Sequence, residues 1–206
     1  MSQFLKARTA AVAVGTAALM AAGASAASAT TLSNGGGPLA AGSTISGPLV
    51  GTASLQTALG PSSCSAGTLG GTVGTNPAPT VAITSPVFTL NTCTGPTPPG
   101  GALKINSANL ASVTTAGITY GSAAASTLGI TGANITLNVT ASGLTQNCNM
   151  TANSATGIAR NADNSITFTN VPVTGATGVC ARALPAQFSA KFGPMTSGGS
   201  AVTVNP

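Results

Sequence analysis

The sequence predicts an all-β fold, an antiparallel Greek-key sandwich or partly open barrel, and three observations carry that prediction. Short runs rich in Val, Ile, Thr and Phe alternate with clusters of Gly, Pro, Asn and Ser, as strands alternate with turns. No stretch after the N-terminus shows a helical period bounded by caps, so crossover helices are not expected. Thr, with 32 copies in 206 residues, is favoured on the pleated, half-buried surface of a sheet.

The N-terminal 29 residues form a predicted signal peptide. Lys6 and Arg8 precede an apolar run, 9–23, which is followed by small-x-small motifs ending at Ala26 and Ala29. The run is shorter than the roughly 18 to 20 apolar residues of a membrane-spanning helix. We therefore expect cleavage after Ala26 or Ala29, only a transient contact with the membrane, and an extracellular or cell-surface location.

The remaining chain is divided into a flexible leader, 30–42, and a single β-sandwich domain, 43–206. Apolar residues alternate with Thr, Asn, Ser or Lys most clearly over 135–139, 166–168 and 188–192, which places one face on a core and the other in water. The predicted strands are 48–58, 66–73, 80–92, 102–111, 116–120, 133–141, 147–158, 164–171, 186–193 and 200–204.

A Pro- and Gly-rich segment, 94–101, interrupts this pattern. It reads either as a loop within one domain or as a linker between two lobes. The loop is favoured because neither half alone holds enough large apolar residues for a secure core.

Four cysteines, an even number in an exported chain, predict two disulfides. Of the three connectivities we favour Cys64 with Cys93 and Cys148 with Cys180, since each pair encloses about thirty residues with strand-like ends. Closing loops of that size stabilises a fold by about 3 to 4 kcal/mol each. A thiolate zinc site is not expected, because His and the CxxC spacing are both absent.

Several segments resemble a group of uncharacterised, small secreted actinobacterial proteins with two disulfides and an all-β fold. The signal peptide, the segment from Cys64 to Cys93 ending in VFTLNTC, the NCNMTA motif around Cys148, the NSITFTNVPV strand and the block from Cys180 to Val204 carry the resemblance. It implies export, disulfides and the fold, and it implies no activity or site.

Composition excludes most enzyme classes. The chain has no His, no Glu and one acidic side chain, Asp163, so Ser-His-Asp triads, Cys-His nucleophiles and paired catalytic carboxylates cannot be assembled. After cleavage four cations face one carboxylate, a formal net charge of +3, and the cations are far apart in sequence. Nucleic-acid binding needs clustered cations and is not expected. We predict no catalytic residues, no cofactor and no metal.

Five polar side chains were the remaining candidates for chemistry. A Ser–Lys dyad is formally open to Lys104 or Lys191, but both are interpreted as solvated strand lysines. Tyr120 is interpreted as a packing residue at the edge of the core. Asp163 is predicted to lie in a turn between strands, with Arg160 as a surface partner of little energetic value.

The sequence therefore predicts a non-enzymatic secreted or cell-surface protein, a structural or adhesive component of the envelope or matrix. Few charges keep copies apart or guard strand edges, so self-association and contact with cell-envelope polymers are expected. The alternative is a secreted binder of an apolar small molecule. A third hypothesis is a protease inhibitor with segment 94–101 as its reactive loop. Three Asn-x-Thr triplets, at Asn134, Asn138 and Asn149, are attributed to strand composition rather than to glycosylation.

Overall fold

A computed structural model describes residues 29–95, 103–122 and 124–206. The predicted signal peptide lies outside the described residues except for Ala29, and so does most of segment 94–101. The all-β prediction is confirmed, with 70% of the described residues in strands and 4% in helix. Within the described ranges, no helix has the length and apolar character needed to cross a bilayer.

Sixteen short and long strands follow one another along the chain. They are β1 Thr31–Asn34, β2 Gly37–Pro38, β3 Thr44–Pro48, β4 Ala53–Thr57, β5 Gly60–Val73, β6 Val81–Thr94, β7 Leu103–Ser112, β8 Thr115–Thr119, β9 Ser126–Ala141, β10 Leu144–Arg160, β11 Ser165–Val173, β12 Gly175–Ala176, β13 Ala186–Phe192, β14 Thr196–Ser197, β15 Ser200–Ala201 and β16 Thr203–Asn205. A 3₁₀ helix, Gly178–Ala183, lies between β12 and β13.

Eight of these strands close an antiparallel barrel. Each pairs with its neighbour in the order β4, β5, β6, β7, β9, β10, β11, β13, and β13 pairs with β4 to complete the ring. Because neighbouring strands of the ring also follow one another along the chain, apart from the smaller elements between them, the barrel is an up-and-down meander. The expected Greek-key sandwich or partly open barrel is therefore corrected to a closed meander barrel.

Two positions in the barrel wall are each shared by a pair of shorter strands. β3 and β4 both pair with β5, one beyond the other. The strand is interrupted between them near Gly51, whose φ is +70°. β7 and β8 likewise both lie between β6 and β9. The segment 48–58, predicted as one strand, therefore contains the last residue of β3, a non-strand connection and the whole of β4.

Residues 30–42 are a packed part of the fold, which corrects the prediction of a flexible leader. β1 pairs with both β2 and the C-terminal β16, with Leu32 opposite Val204, and Leu32 is fully buried. The Asn76 amide donates to the carbonyls of Leu32 and Leu39 at 2.8 and 2.7 Å, and its oxygen accepts from the Leu32 N–H at 2.8 Å. Asn76 is 44 residues from Leu32 and 37 residues from Leu39 in sequence, so a local sequence pattern cannot predict these hydrogen bonds.

The longest hairpin joins β9 to β10 through a two-residue turn. Ser142 and Gly143 both have positive φ, 51° and 80°, which matches the twist of the flanking strands. From this turn the pairing continues to Ser126 opposite Ala159. The alternation predicted over 135–139 is confirmed in this hairpin, since Leu137 and Val139 are buried.

The barrel interior is an apolar core centred on four phenylalanines. Phe88 packs edge-on against Phe188 and Phe192, with ring centroids 5.6 and 5.9 Å apart, and Phe168 contacts the same two rings at 6.3 and 6.4 Å. The remaining core is mostly Ala, Val, Ile and Leu, with Met150, Met195 and the four cysteines. The strands on both sides of segment 94–101 belong to this one barrel, with Leu90 of β6 opposite Ala108 of β7.

Both disulfides form in the predicted pairing. Cys64 and Cys93 are opposite each other on β5 and β6, so this bond staples two neighbouring strands of the wall. The second bond joins Cys148 of β10 to Cys180 in the 3₁₀ helix. Cys180 and Ala183 are fully buried, which fixes the long connection between β11 and β13 against the barrel.

Candidate functional site

The outer face of β7, β9 and β10 carries a row of hydrogen-bonded amides, here called the amide ladder and formed by Asn106, Asn138 and Asn147. The Asn106 Nδ2 donates to the Asn138 Oδ1 at 3.0 Å, and the Asn138 Nδ2 donates to the Asn147 Oδ1 at 2.9 Å. Asn138 and Asn147 are directly opposite in the strand register, while Asn106 lies at a bulge between Ile105 and Ser107. The bulge brings the third amide into line with the other two.

Hydroxyl groups border the amide ladder on the same face. The Asn106 Nδ2 also donates to the Thr140 Oγ1 at 3.0 Å, and Thr140 bonds Thr145 across the hairpin at 3.2 Å. Towards the other side, the Thr136 Oγ1 donates to the Asn149 Oδ1 at 2.9 Å. Cross-strand pairs of this kind add a few tenths of a kcal/mol each and hold the side chains in fixed positions.

The Asn-x-Thr triplets account for much of this face. Asn138 and Asn149 accept or donate hydrogen bonds within it, as expected for outward strand residues. Asn134 is different, because its Oδ1 is buried without a hydrogen-bond partner among the described residues. The attribution of the triplets to strand composition is consistent with their places on β9 and β10.

The chemistry of the face is that of neutral donors and acceptors. An amide and a hydroxyl each offer both functions, so the face matches a partner rich in hydroxyls rather than an ion. Asn147 and Thr145 at its outer edge are exposed. Lys104, also exposed and opposite Thr140 in the register, places one positive charge beside the ladder.

The single carboxylate side chain forms an ion pair elsewhere. The Lys191 Nζ donates to the Asp163 Oδ2 at 2.6 Å, and the Ser165 hydroxyl donates to the Asp163 Oδ1 at 2.6 Å. The bond from Lys191, with that from Ser165, lowers the pKa of Asp163 from 3.8 to about 2. Asp163 lies in the turn after β10 as predicted, but its partner is Lys191 on β13 rather than Arg160.

The other candidates lie on separate elements. Lys104 is exposed on β7, as predicted for a solvated strand lysine, whereas Lys191 on β13 is paired with Asp163. Tyr120 is half-buried against the core, in agreement with a packing role, and its N–H donates to the Thr30 Oγ1 at 2.7 Å. Across the residues that the structure describes, no group of three or more His, Cys, Asp or Glu is placed to hold a metal ion.

Sequence reasoning missed Asn106 and Asn147 as parts of one array. The signal was present as polar residues at every second position of β9 and β10, but alternation says only that a residue points outward. Which outward residues are neighbours depends on the register between strands.

Comparison with protein-family models, with curated proteins and with solved structures finds no match to this chain. The resemblance to secreted actinobacterial proteins therefore stays a prediction. The two disulfides indicate an oxidising environment, as outside the cytoplasm.

Proposed function

We propose that this chain is a non-enzymatic secreted or cell-surface protein that adheres to neutral, hydroxyl-rich polymers of the cell envelope through the amide ladder. The observation that carries the proposal is the ladder itself, three neutral amides held in a row on the outer wall. Each amide keeps unused hydrogen-bonding capacity for a partner, and its position is fixed before binding. Preorganisation of this kind lowers the entropy lost when a polymer is bound.

The rigidity of the barrel supports an adhesive role. Apart from positions 83–88 of β6, closure of the ring leaves unpaired edges in the described residues mainly on short outer strands such as β2 and β15, each of two residues. Adhesion and self-association through strand edges, which the sequence had favoured, therefore have little edge to use in the described part of the chain. Contacts through outward side chains take their place in the proposal.

Binding to isolated cell wall tests this proposal. The exported protein is mixed with a wall preparation from its own host, the wall is sedimented, and the bound fraction is measured. Asn138→Ala and Asn147→Ala should each lower the bound fraction several-fold, because each removes donors and acceptors from the middle or edge of the ladder. Asn153→Ala is the matched control, since Asn153 is an exposed asparagine of the same strand β10 outside the ladder.

Salt separates hydrogen bonding from attraction by Lys104. At 1 M NaCl charges are screened beyond about 3 Å, so a bound fraction that persists supports adhesion through neutral groups. Complete release by salt, or equal binding by Asn147→Ala and Asn153→Ala, would refute the ladder as the adhesive surface. A protein that stays monomeric by size exclusion and never sediments with wall or cells would refute the proposed role altogether.

A further inference from the structure

The barrel wall has a gap between β6 and the β7–β8 position. β6 pairs with β8 at Val81 and Ala82, and with β7 at Thr89 and Leu90. Between these points, within the described residues, positions 83–88 of β6 form no β-sheet pair with positions 110–116. Six consecutive residues of β6 are thus without cross-strand pairing on this edge.

The gap is confined to one side of these strands. On its other edge, β6 pairs with β5 from Ile83 to Thr94, with one register shift. β7 and β8 remain attached to β9, with Ser112 opposite Asn134 and Thr115 opposite Thr131. The wall is therefore intact on both sides of the gap, which makes the gap a local opening rather than a frayed end.

The sequence of β6 explains the missing pairs. Pro86 has no N–H to donate to a neighbouring strand. Ser85 before it has a φ of +46°, a left-handed conformation that redirects the strand. Together these two residues interrupt the backbone hydrogen bonding at the middle of β6.

An apolar cavity of about 70 Å³ lies directly behind the gap. Pro86, Val87, Leu110 and Val113 from the two sides of the gap line it, and Val87 is 47% exposed. Its deeper walls include Ala133, Ala152 and Ala155, small side chains that leave the space open. No charged side chain lines it, so a bound group has to be hydrocarbon.

The cavity continues in both directions inside the barrel. A second cavity of about 40 Å³ shares Phe88, Ile135 and Phe188 with it. A third, of about 20 Å³, shares Leu69 and Ile130 on the opposite side. The three spaces therefore lie in a row, here called the cavity row, in which neighbouring cavities have lining side chains in common.

We propose that this row binds a single short alkyl or acyl chain, which enters through the gap between β6 and β7–β8. Size favours a short chain over a ring, because an apolar cavity that takes up benzene measures about 150 Å³ in one chamber. Each chamber here is smaller than that, at about 70, 40 and 20 Å³, so the row has room for a chain of a few methylenes and not for a ring. The site is separate from the amide ladder, so the inference neither rests on the proposed adhesion nor tests it. The inference adds a location and a ligand class to the alternative hypothesis, that the protein binds an apolar small molecule.

Titration with two carboxylates of similar charge tests the ligand class. The full-length chain with both disulfides formed is titrated with hexanoate and with benzoate, and binding is followed by calorimetry and by NMR of side-chain methyl groups. Hexanoate should bind at least tenfold more tightly than benzoate and more tightly than butanoate, because each buried methylene adds to affinity. Tighter binding of benzoate, or no measurable binding of hexanoate, would overturn the proposal.

Filling the cavity tests the location. Ala155→Leu places a larger side chain in the cavity and should weaken hexanoate binding at least tenfold, while Ala66→Leu, the same change at an exposed position of β5 away from the gap, should leave it unchanged. Circular dichroism checks that each variant is folded, and Ala133→Val serves as a smaller filling change if Ala155→Leu does not fold. Equal hexanoate affinity in the folded filling variant and in Ala66→Leu would refute this site.

Discussion

Two walls of the same barrel are built in contrasting ways. The β9–β10 hairpin is paired almost continuously, from its two-residue turn to Ser126 opposite Ala159. The wall between β6 and β7–β8 is paired at only two short places, with an unpaired stretch between them. The continuous wall carries the amide ladder, and the interrupted wall opens onto the cavity row.

The two walls differ because of the local sequence of their strands, although the amino-acid composition of the chain is the same throughout. Along β9, Ile135, Leu137 and Val139 face inward while Thr136 and Asn138 face outward. The regular alternation accompanies backbone pairing with β10 along almost the whole strand. In β6 the Ser85–Pro86 pair removes a donor and redirects the strand. A single dipeptide is thus enough to change a paired wall into an open one.

The largest expected effect comes from removing the disulfides. Cys64→Ser with Cys93→Ser, and Cys148→Ser with Cys180→Ser, release loops of similar sequence separation, 29 and 32 residues. Loop entropy alone predicts a loss of about 3 to 4 kcal/mol for each pair. We expect a larger loss for the Cys64–Cys93 bond, because β6 depends on β5 where its other edge is unpaired. Urea unfolding of the two double variants measures both values.

Equal losses would show that the gap does not weaken the attachment of β6, and the contrast between the walls would then be one of shape only. A larger loss for the Cys148–Cys180 bond would contradict the comparison. The wild-type protein, unfolded with and without a reducing agent, provides the reference for the sum of both bonds.

The sequence predicts the all-β class, nearly all long strands and the disulfide pairing, because these depend on local alternation and on spacing along the chain. It does not predict the closed meander or the place of β1. Leu32 is held by Val204 and Asn76, which are distant in sequence, and β1 begins in a Gly-rich segment that has the composition of a flexible tail. Closure depends on the pairing of β13 with β4, which is likewise non-local.

The candidate sites are less accessible to sequence reasoning than the fold. Asn106 joins the ladder through a bulge, and a bulge shifts the side-chain alternation by one residue without a distinctive residue type. The cavity row depends on which small residues face the same space, and Ala133 and Ala155 come from different strands. Pro86 was the one visible signal for the gap, since proline is rare in a central strand.

A matched pair of valine substitutions sharpens the comparison with an intermediate effect. Val139→Ala, on the continuous wall, removes a fully buried side chain and should lower the free energy of unfolding by about 2 kcal/mol through lost burial and a new cavity. Val113→Ala, at the half-buried rim of the gap, should cost less than about 1 kcal/mol because its neighbours already border open space. Thermal and urea unfolding measure both, and a larger cost at Val113 would indicate that the rim is packed.

The smallest expected effect belongs to the far end of the continuous wall, where Asp163 in the turn after β10 pairs with Lys191 of β13. The folded protein lowers the pKa of Asp163 from 3.8 to about 2, so the pair stabilises the fold fully above the ordinary carboxyl pKa. That stabilisation is lost as the pH falls through 3.8 towards about 2, and it is small because both side chains are exposed, at 44% and 41%. Melting temperatures of the wild type and Asp163→Asn should therefore differ slightly at pH 6 and converge near pH 2. Because the chain has no His and no other acidic side chain, its melting temperature should otherwise change little between pH 5 and 8. A marked loss of stability within that range, in either protein, would mean that a group other than this carboxylate changes its protonation on unfolding.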